Sequence, residues 1–188
     1  MAARPRRIEA IWDGPIAPLI PLTPVVSSAD VMWQGFLLEQ HASHPGFAID
    51  TPEHYSAKHL LHLNTGGPSS TDWRVGGKNL STTDQIGSFS LLPAGVPSLV
   101  RLKHKTGGIV LEIDALHLER TLAEAGLGEK IELKPVFAAP DRQIALLLTA
   151  MREDIASGAP AGRLYGESIG NAVATYLAQR YSATTPKL

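Results

Sequence analysis

The spacing of apolar residues changes partway along the chain. Residues 28–113 carry short apolar runs punctuated by Gly, Pro and Asn/Asp, the pattern of strands. Val31–His41 and His59–Leu63 read as extended segments, and Trp73–Val75 opens another that Gly76-Gly77 breaks. Ser88–Leu92 ends at the turn signal Pro93-Ala94-Gly95. Ser98–Lys103 and Ile109–Ile113 flank Thr106-Gly107-Gly108, which predicts a hairpin. Short strands with frequent turn signals predict an antiparallel sandwich or barrel, and no intervening helical pattern supports a parallel sheet.

After Ile113 the period becomes helical. Asp114 can cap a helix over 115–125 that carries Leu116, Leu118, Leu122 and Ala123 and stops at Gly126. Lys130–Lys134 is a brief extended piece ending at Pro135. From Asp141, the residues Ile144, Leu147, Leu148, Met151 and Ile155 form an apolar stripe, broken at Gly158 and Pro160. The last helix runs to Tyr181 and puts Tyr165, Ile169, Ala172, Val173, Tyr176 and Leu177 on one face. The short connection predicts an antiparallel helical hairpin. Ile144, Leu148, Met151, Tyr165, Ile169 and Tyr176 are the candidate dimerisation residues.

Residues 1–27 read as an arm. Pro5, Pro15, Pro18, Pro21 and Pro24 leave no room for a helix or a central strand. Arg4, Arg6 and Arg7 make a small basic cluster, while Ile11, Trp12, Ile16, Leu19 and Ile20 give the arm something to bury. Two readings stay open: a disordered or surface-draped arm, or one that packs on the sheets and responds to a ligand or partner. The organisation expected is arm 1–27, sheet domain 28–138, helical region 139–182 and tail 183–188. Prolines interrupt the apolar stretch Ile16–Val26, so neither a signal core nor a membrane span is expected, and the chain is expected in the cytoplasm.

Composition narrows the chemistry. At 188 residues, the chain can bury a core without cross-links. It has no cysteine, which excludes disulfides, thiolate metal sites and cysteine nucleophiles. A net charge of -1 argues against this segment gripping nucleic acid by itself. Seven histidines are present, five of them between His41 and His62. The pairs His41/His44 and His59/His62 are three apart, which on a strand puts the partners on opposite faces. Glu39 and His41 share a face, but two ligands are too few for a metal site. No metal, no cofactor and no catalytic residue is therefore expected. Gly66-Gly67-Pro68 lacks the lysine and following helix of a phosphate loop. Gly166-Glu-Ser-Ile-Gly170 matches a nucleophile elbow only in letters, because its serine falls inside a helical pattern. Trp33 and Trp73 read as core aromatics or as pocket walls, with His41, His59, His62 and Arg101 as candidate polar contacts to a ligand.

In order and spacing these pieces resemble the N-terminal sensor domain of AraC/XylS-family transcriptional regulators. The likeness covers about residues 31–181. It rests on Gly35–His41, on Gly87-Ser-Phe-Ser-Leu-Leu-Pro-Ala-Gly95, on Glu132–Phe137 followed by Asp141, and on Arg163–Gly170 with Tyr176–Tyr181. The resemblance implies an α+β protein: a cupin-like antiparallel β-barrel or jelly roll that binds a small-molecule effector, then a helical hairpin used in a homodimer. It implies DNA binding only through a C-terminal helix-turn-helix region. Beyond Tyr181 only seven residues follow, so the expectation is an excised sensor domain or a natural truncation. The histidine cluster keeps a metal-dependent cupin-like enzyme as the alternative, and the short end keeps an interaction partner of full-length regulators.

Overall fold

The computed structural model describes residues 5–44, 48–102, 107–128 and 131–183. Its strands are β1 (Glu9–Trp12), β2 (Ile16–Pro18), β3 (Val26–Ser27), β4 (Phe36–His41), β5 (Ile49–Asp50), β6 (His54–Tyr55), β7 (His59–Asn64), β8 (Ser69–Val75), β9 (Lys78–Asp84), β10 (Ser88–Leu92), β11 (Ser98–Leu102), β12 (Gly108–Ile113) and β13 (Val136–Pro140). The helices are α1 (Ala115–Glu124), α2 (Arg142–Ala156) and α3 (Gly162–Tyr181). The strands form two antiparallel sheets. One has the order β2-β1-β6-β11-β8-β9 with β5 alongside β11, and the other β13-β10-β7-β12-β4-β3.

The second sheet is covered on both faces. Phe36, Leu38, Leu61, Leu63, Phe89, Leu91, Ile109, Leu111 and Ile113 pack outward against helix residues such as Leu118, Ile144, Leu148, Met151, Val173 and Leu177. Their neighbours Leu37, Leu60 and Val110 face the other way and pack with Ile8, Leu19 and Ile20 of the arm. A two-sided environment explains why β12 is buried at every residue, whereas β8 alternates strictly between buried and exposed.

Both predicted helix starts hold. Asp114 accepts a hydrogen bond from the His117 amide at 3.0 Å, and Asp141 from the Gln143 and Ile144 amides at 2.9 and 3.0 Å. The other Asp141 oxygen accepts from the hydroxyls of Tyr176 and Tyr181, at 2.9 and 2.7 Å, so the end of α3 is tied to the start of α2. Burial works against ionisation of Asp141, but the bonds from Tyr181, the two amides and Tyr176 outweigh it and hold the carboxyl below its ordinary range.

Several expectations are corrected. The arm is not disordered; it packs on the sheets, as the second reading had it, and it forms strands. β1 and β2 pair as a hairpin around Asp13 and Gly14, both at positive φ, with Pro18 closing the edge strand β2 and Pro15 in the turn. Ile16 is 65% exposed, while Ile8 and Ala10 are buried. The strand expected over Val31–His41 begins only at Phe36, after positive φ at Met32 and Gly35. β11 and β12 do not pair with each other; they belong to different sheets, so the chain crosses the sandwich between them. Lys103, Thr106, Lys130 and the tail from residue 184 lie outside the described residues.

The dimer face is corrected most. Ile144, Leu148 and Met151 are 0% exposed within the single chain because their stripe packs on the second sheet. Tyr165 is exposed, Ile169 and Tyr176 are half-buried, and Ala172, expected on the apolar face, points to solvent. The buried face of α3 includes Gly166 and Gly170 instead. A Cβ on Gly166 would stand 2.2 Å from the Trp33 ring, and one on Gly170 2.7 Å from Phe36. The Gly-x-Ser-x-Gly letters therefore mark a groove for two aromatic rings, and Ser168 is exposed, donating back to the Leu164 carbonyl at 2.8 Å.

Alanine at a helical glycine normally gains about 1 kcal/mol in propensity, whereas overpacking costs about 1–3 kcal/mol. With the clash at 2.2 Å against a fully packed ring, Gly166→Ala is expected to lose about 1–2 kcal/mol net. Chemical denaturation of the variant checks this, and a stabilised protein would show that α3 is not seated on Trp33.

Candidate functional site: a cavity between the sheets

The inward faces of the two sheets enclose a cavity of about 120 Å³. Leu60, Leu92 and Val110 supply an apolar wall from the second sheet, and Val100, Leu102 and Trp73 face them from the first. Leu19 and Ile20 of the arm complete the lining. Polar groups are set among these: His54, His62, Thr51, Ser69, Thr71, Asp84 and Ser90.

Cross-strand register explains which residues arrive there. Glu39, Val110, His62 and Ser90 lie side by side across β4, β12, β7 and β10. Gly108, one inward position along β12, leaves space for the His62 ring: a Cβ there would stand 2.3 Å from Nε2. From the other sheet, Thr71 and Trp73 face inward on β8, and Asp84 ends β9. The Thr71 hydroxyl donates to Asp84 Oδ2 at 2.5 Å, and the Thr82 hydroxyl to Oδ1 at 3.3 Å. Trp73 Nε1 donates to Thr82 Oγ1 at 3.1 Å, which fixes the indole in the wall.

The surroundings of His54 favour its neutral form. Burial lowers its pKa, and the hydrogen bond from Nδ1 to the Pro52 carbonyl, 3.1 Å long, offsets this only in part. Trp12 of the arm stacks on its ring with centroids 4.4 Å apart.

The arm is held over the interior by a buried charge. Glu39 is 1% exposed, and its carboxylate accepts from Arg7 Nε at 2.7 Å and from the Ile8 amide at 3.1 Å. Arg7 also donates to the Ile20 and Leu22 carbonyls at 3.0 and 2.8 Å, so one guanidinium gathers both ends of the arm. His41 Nε2 stands 3.0 Å from the other Glu39 oxygen. Burial alone would raise the Glu39 pKa. The hydrogen bonds from His41, Arg7 and the Ile8 amide, with the Arg7 charge, hold it below the ordinary 4.5. A second buried carboxylate, Glu112, is met by Lys58 Nζ at 2.7 Å and Arg6 Nη2 at 3.6 Å.

Of the six expected ligand residues, His62 and Trp73 line the cavity. The other four do not. Trp33 is buried on the outer side of the second sheet, against α3. His59 points away from His62, as their odd spacing requires; its Nδ1 accepts from the Ala94 amide at 3.1 Å, and burial pushes its pKa down to about 4 although Asp114 works against this. Arg101 is on the outer face of the first sheet, paired with Asp50 at 2.9 Å. His41 serves Glu39 and the latch. Sequence reasoning missed His54, Thr71 and Asp84. The strict alternation Ser69, Thr71, Trp73, Val75 was the available signal for Thr71. Among the described residues, no three His, Asp or Glu side chains gather as a metal-binding group, and no helix is long and apolar enough to cross a membrane.

No protein-family model matches the sequence, nor does any curated protein sequence. Solved structures share partial likeness. A cupin protein from Bacteroides fragilis is 12% identical with a TM-score of 0.38, over 53% of this chain and 82% of that one. A mutant oxalate decarboxylase from Bacillus subtilis is 12% identical with a TM-score of 0.36, over 43% of this chain and 22% of that one. A vicilin from Solanum melongena is 16% identical with a TM-score of 0.36, again over 43% of this chain and 22% of that one. This chain thus spans well under a third of the decarboxylase and vicilin chains.

The depressed pKa of Glu39 has a sign. Its contribution to stability is in force above the ordinary carboxylate pKa and is lost as pH falls through the lower, folded-state value. Arg7 retains some contact with water, so Glu39→Gln is expected to cost about 2–3 kcal/mol at neutral pH, toward the low end for a broken buried pair. It should also flatten the acid limb of the stability curve. Thermal melts between pH 3 and pH 7 provide the check; identical curves for both proteins would remove Glu39 as the latch.

Proposed function

We propose that this chain is the ligand-sensing and dimerisation part of an AraC-type bacterial transcriptional regulator, and that it does no chemistry itself. A cupin-like sandwich would bind a small-molecule effector in its cavity, and the helical hairpin would carry the response to DNA-binding units of the parent protein. The observation that carries this reading is a cavity roofed by the chain's own N-terminal arm, with Leu19 and Ile20 in its wall and Arg7 on Glu39. A ligand that fills the cavity must touch the arm, so binding and arm position are coupled free energies. The residues of the stated resemblance, from Gly35 to Tyr181, support the family assignment.

Pairing would use apolar side chains that the helices leave outside. Leu146 on α2 is 60% exposed and Leu164 on α3 is 76% exposed, with Tyr165 beside it. Sedimentation velocity on the purified chain, at tens of micromolar, tests this half. A dimer is expected, weakened by Leu164→Glu, and a strictly monomeric species would end the pairing claim. A cavity ligand is expected to shift the monomer–dimer equilibrium by about 5-fold or more, as coupling energies of ordinary size imply. A ligand that binds and leaves that equilibrium and the arm unchanged would end the sensor claim.

A further inference from the structure

Three buried carboxylates face the interior of the sandwich, and they are treated differently. Glu39 has Arg7, and Glu112 has Lys58 and Arg6. Asp84 is 6% exposed and lines the cavity, yet among the described residues no Lys, Arg or His forms an ion pair with it. Its donors are two neutral hydroxyls, Thr71 at 2.5 Å and Thr82 at 3.3 Å. A carboxylate has about four acceptor positions, so the Thr71 and Thr82 bonds leave capacity. Burying one without a cation is costly unless something else supplies the charge.

The rest of the cavity sharpens the point. Neither Lys nor Arg lines it among the described residues. His54 Nδ1 is already committed to the Pro52 carbonyl, and burial works against a charge on its ring. On the facing sheet Leu60, Leu92 and Val110 line the cavity together with His62 and Ser90. Trp73, next to Asp84 through Thr82, offers an aromatic ring of the kind that favours cations. The cavity of about 120 Å³ is slightly smaller than an engineered cavity of about 150 Å³ that holds benzene.

We infer that the cavity selects a small, branched or cyclic aliphatic amine, its ammonium on Asp84 and Thr71 and its hydrocarbon against Leu60, Leu92 and Val110. This names a ligand class for the sensing site and rests on the reading of the cavity as that site. No bond is made or broken, and the ammonium replaces water by Asp84 oxygen and the Thr71 lone pair.

Three probes of similar size separate the terms: isopentylamine, isopentanol and isovalerate, titrated calorimetrically into the full chain in phosphate buffer. The amine is expected to bind about tenfold or more tighter than the alcohol, a charge-assisted contact being roughly twice as strong as a neutral one. Isovalerate should bind weakest. Asp84→Asn should cut amine affinity at least tenfold and leave the alcohol within about twofold. Leu92→Trp, which fills the cavity from the sheet that does not carry Asp84, should abolish binding of both. This variant decides the case if Asp84→Asn does not fold. Alcohol or isovalerate binding as well as the amine would overturn the ligand class while leaving the cavity as a binding site. Amine binding that survives Leu92→Trp would place the amine elsewhere and overturn the inference. Failure of all three probes to bind would remove the cavity reading along with it.

Discussion

A carboxylate stays ionised inside a protein only where donors and opposite charge surround it, and Glu39 is 1% exposed. Its requirement organises the N-terminal third of the molecule. Arg7 must come inward to meet it, and Arg7 in turn collects the Ile20 and Leu22 carbonyls. That places β1 against β6, brings Trp12 onto His54, and sets Leu19 and Ile20 in the cavity wall. The β1–β6 pairing and the packing of Ile8, Leu19 and Ile20 add to this hold, but only the Glu39–Arg7 contact ties both ends of the roof to the second sheet.

The second sheet supplies the complementary constraint. With helices on one side and the interior on the other, every strand in its middle must satisfy two environments at once. The outward side is largely apolar and carries the main core, with Gln40, which accepts from Arg152 Nε at 2.7 Å, and His59 at its margins. The inward side mixes Leu and Val with Glu39, His41, His62 and Glu112, so both buried carboxylates of this sheet lie on the face away from the helices. The Asp141 junction with Tyr176 and Tyr181 then fixes the two long helices to each other as they lie on that sheet. The arm and the helix-covered core thus lie on opposite faces of one sheet.

Local chemistry was legible in the sequence, and long-range placement was not. Asp114 and Asp141 announced their helices because an N-cap acts within its own turn. The stripe of Ile144, Leu148 and Met151 announced an apolar face, but periodicity cannot say whether a second copy or the same chain covers it. The odd spacing of His59 and His62 correctly kept them apart, since strand alternation is a local rule. β9 escaped notice because Lys78–Asp84 is largely polar, its alternate residues facing solvent. The arm's strands escaped because proline forbids central strands and not edges. Asp84 could not be singled out: only the pairing of β8 with β9 brings it to Thr71, and only the second sheet turns that pair into a cavity wall.

The central claim is that the arm is a folded roof held by a buried ion pair. Hydrogen exchange over residues 5–22 measures it directly. The Ile8 amide, bonded to Glu39, and the Leu19 amide, bonded to the Ile8 carbonyl at 2.9 Å, should be protected nearly as well as those of β4. That protection should fall selectively when Arg7 is replaced by Ala. Exchange of the arm amides at the rate of an unstructured peptide in the unaltered protein would contradict the account.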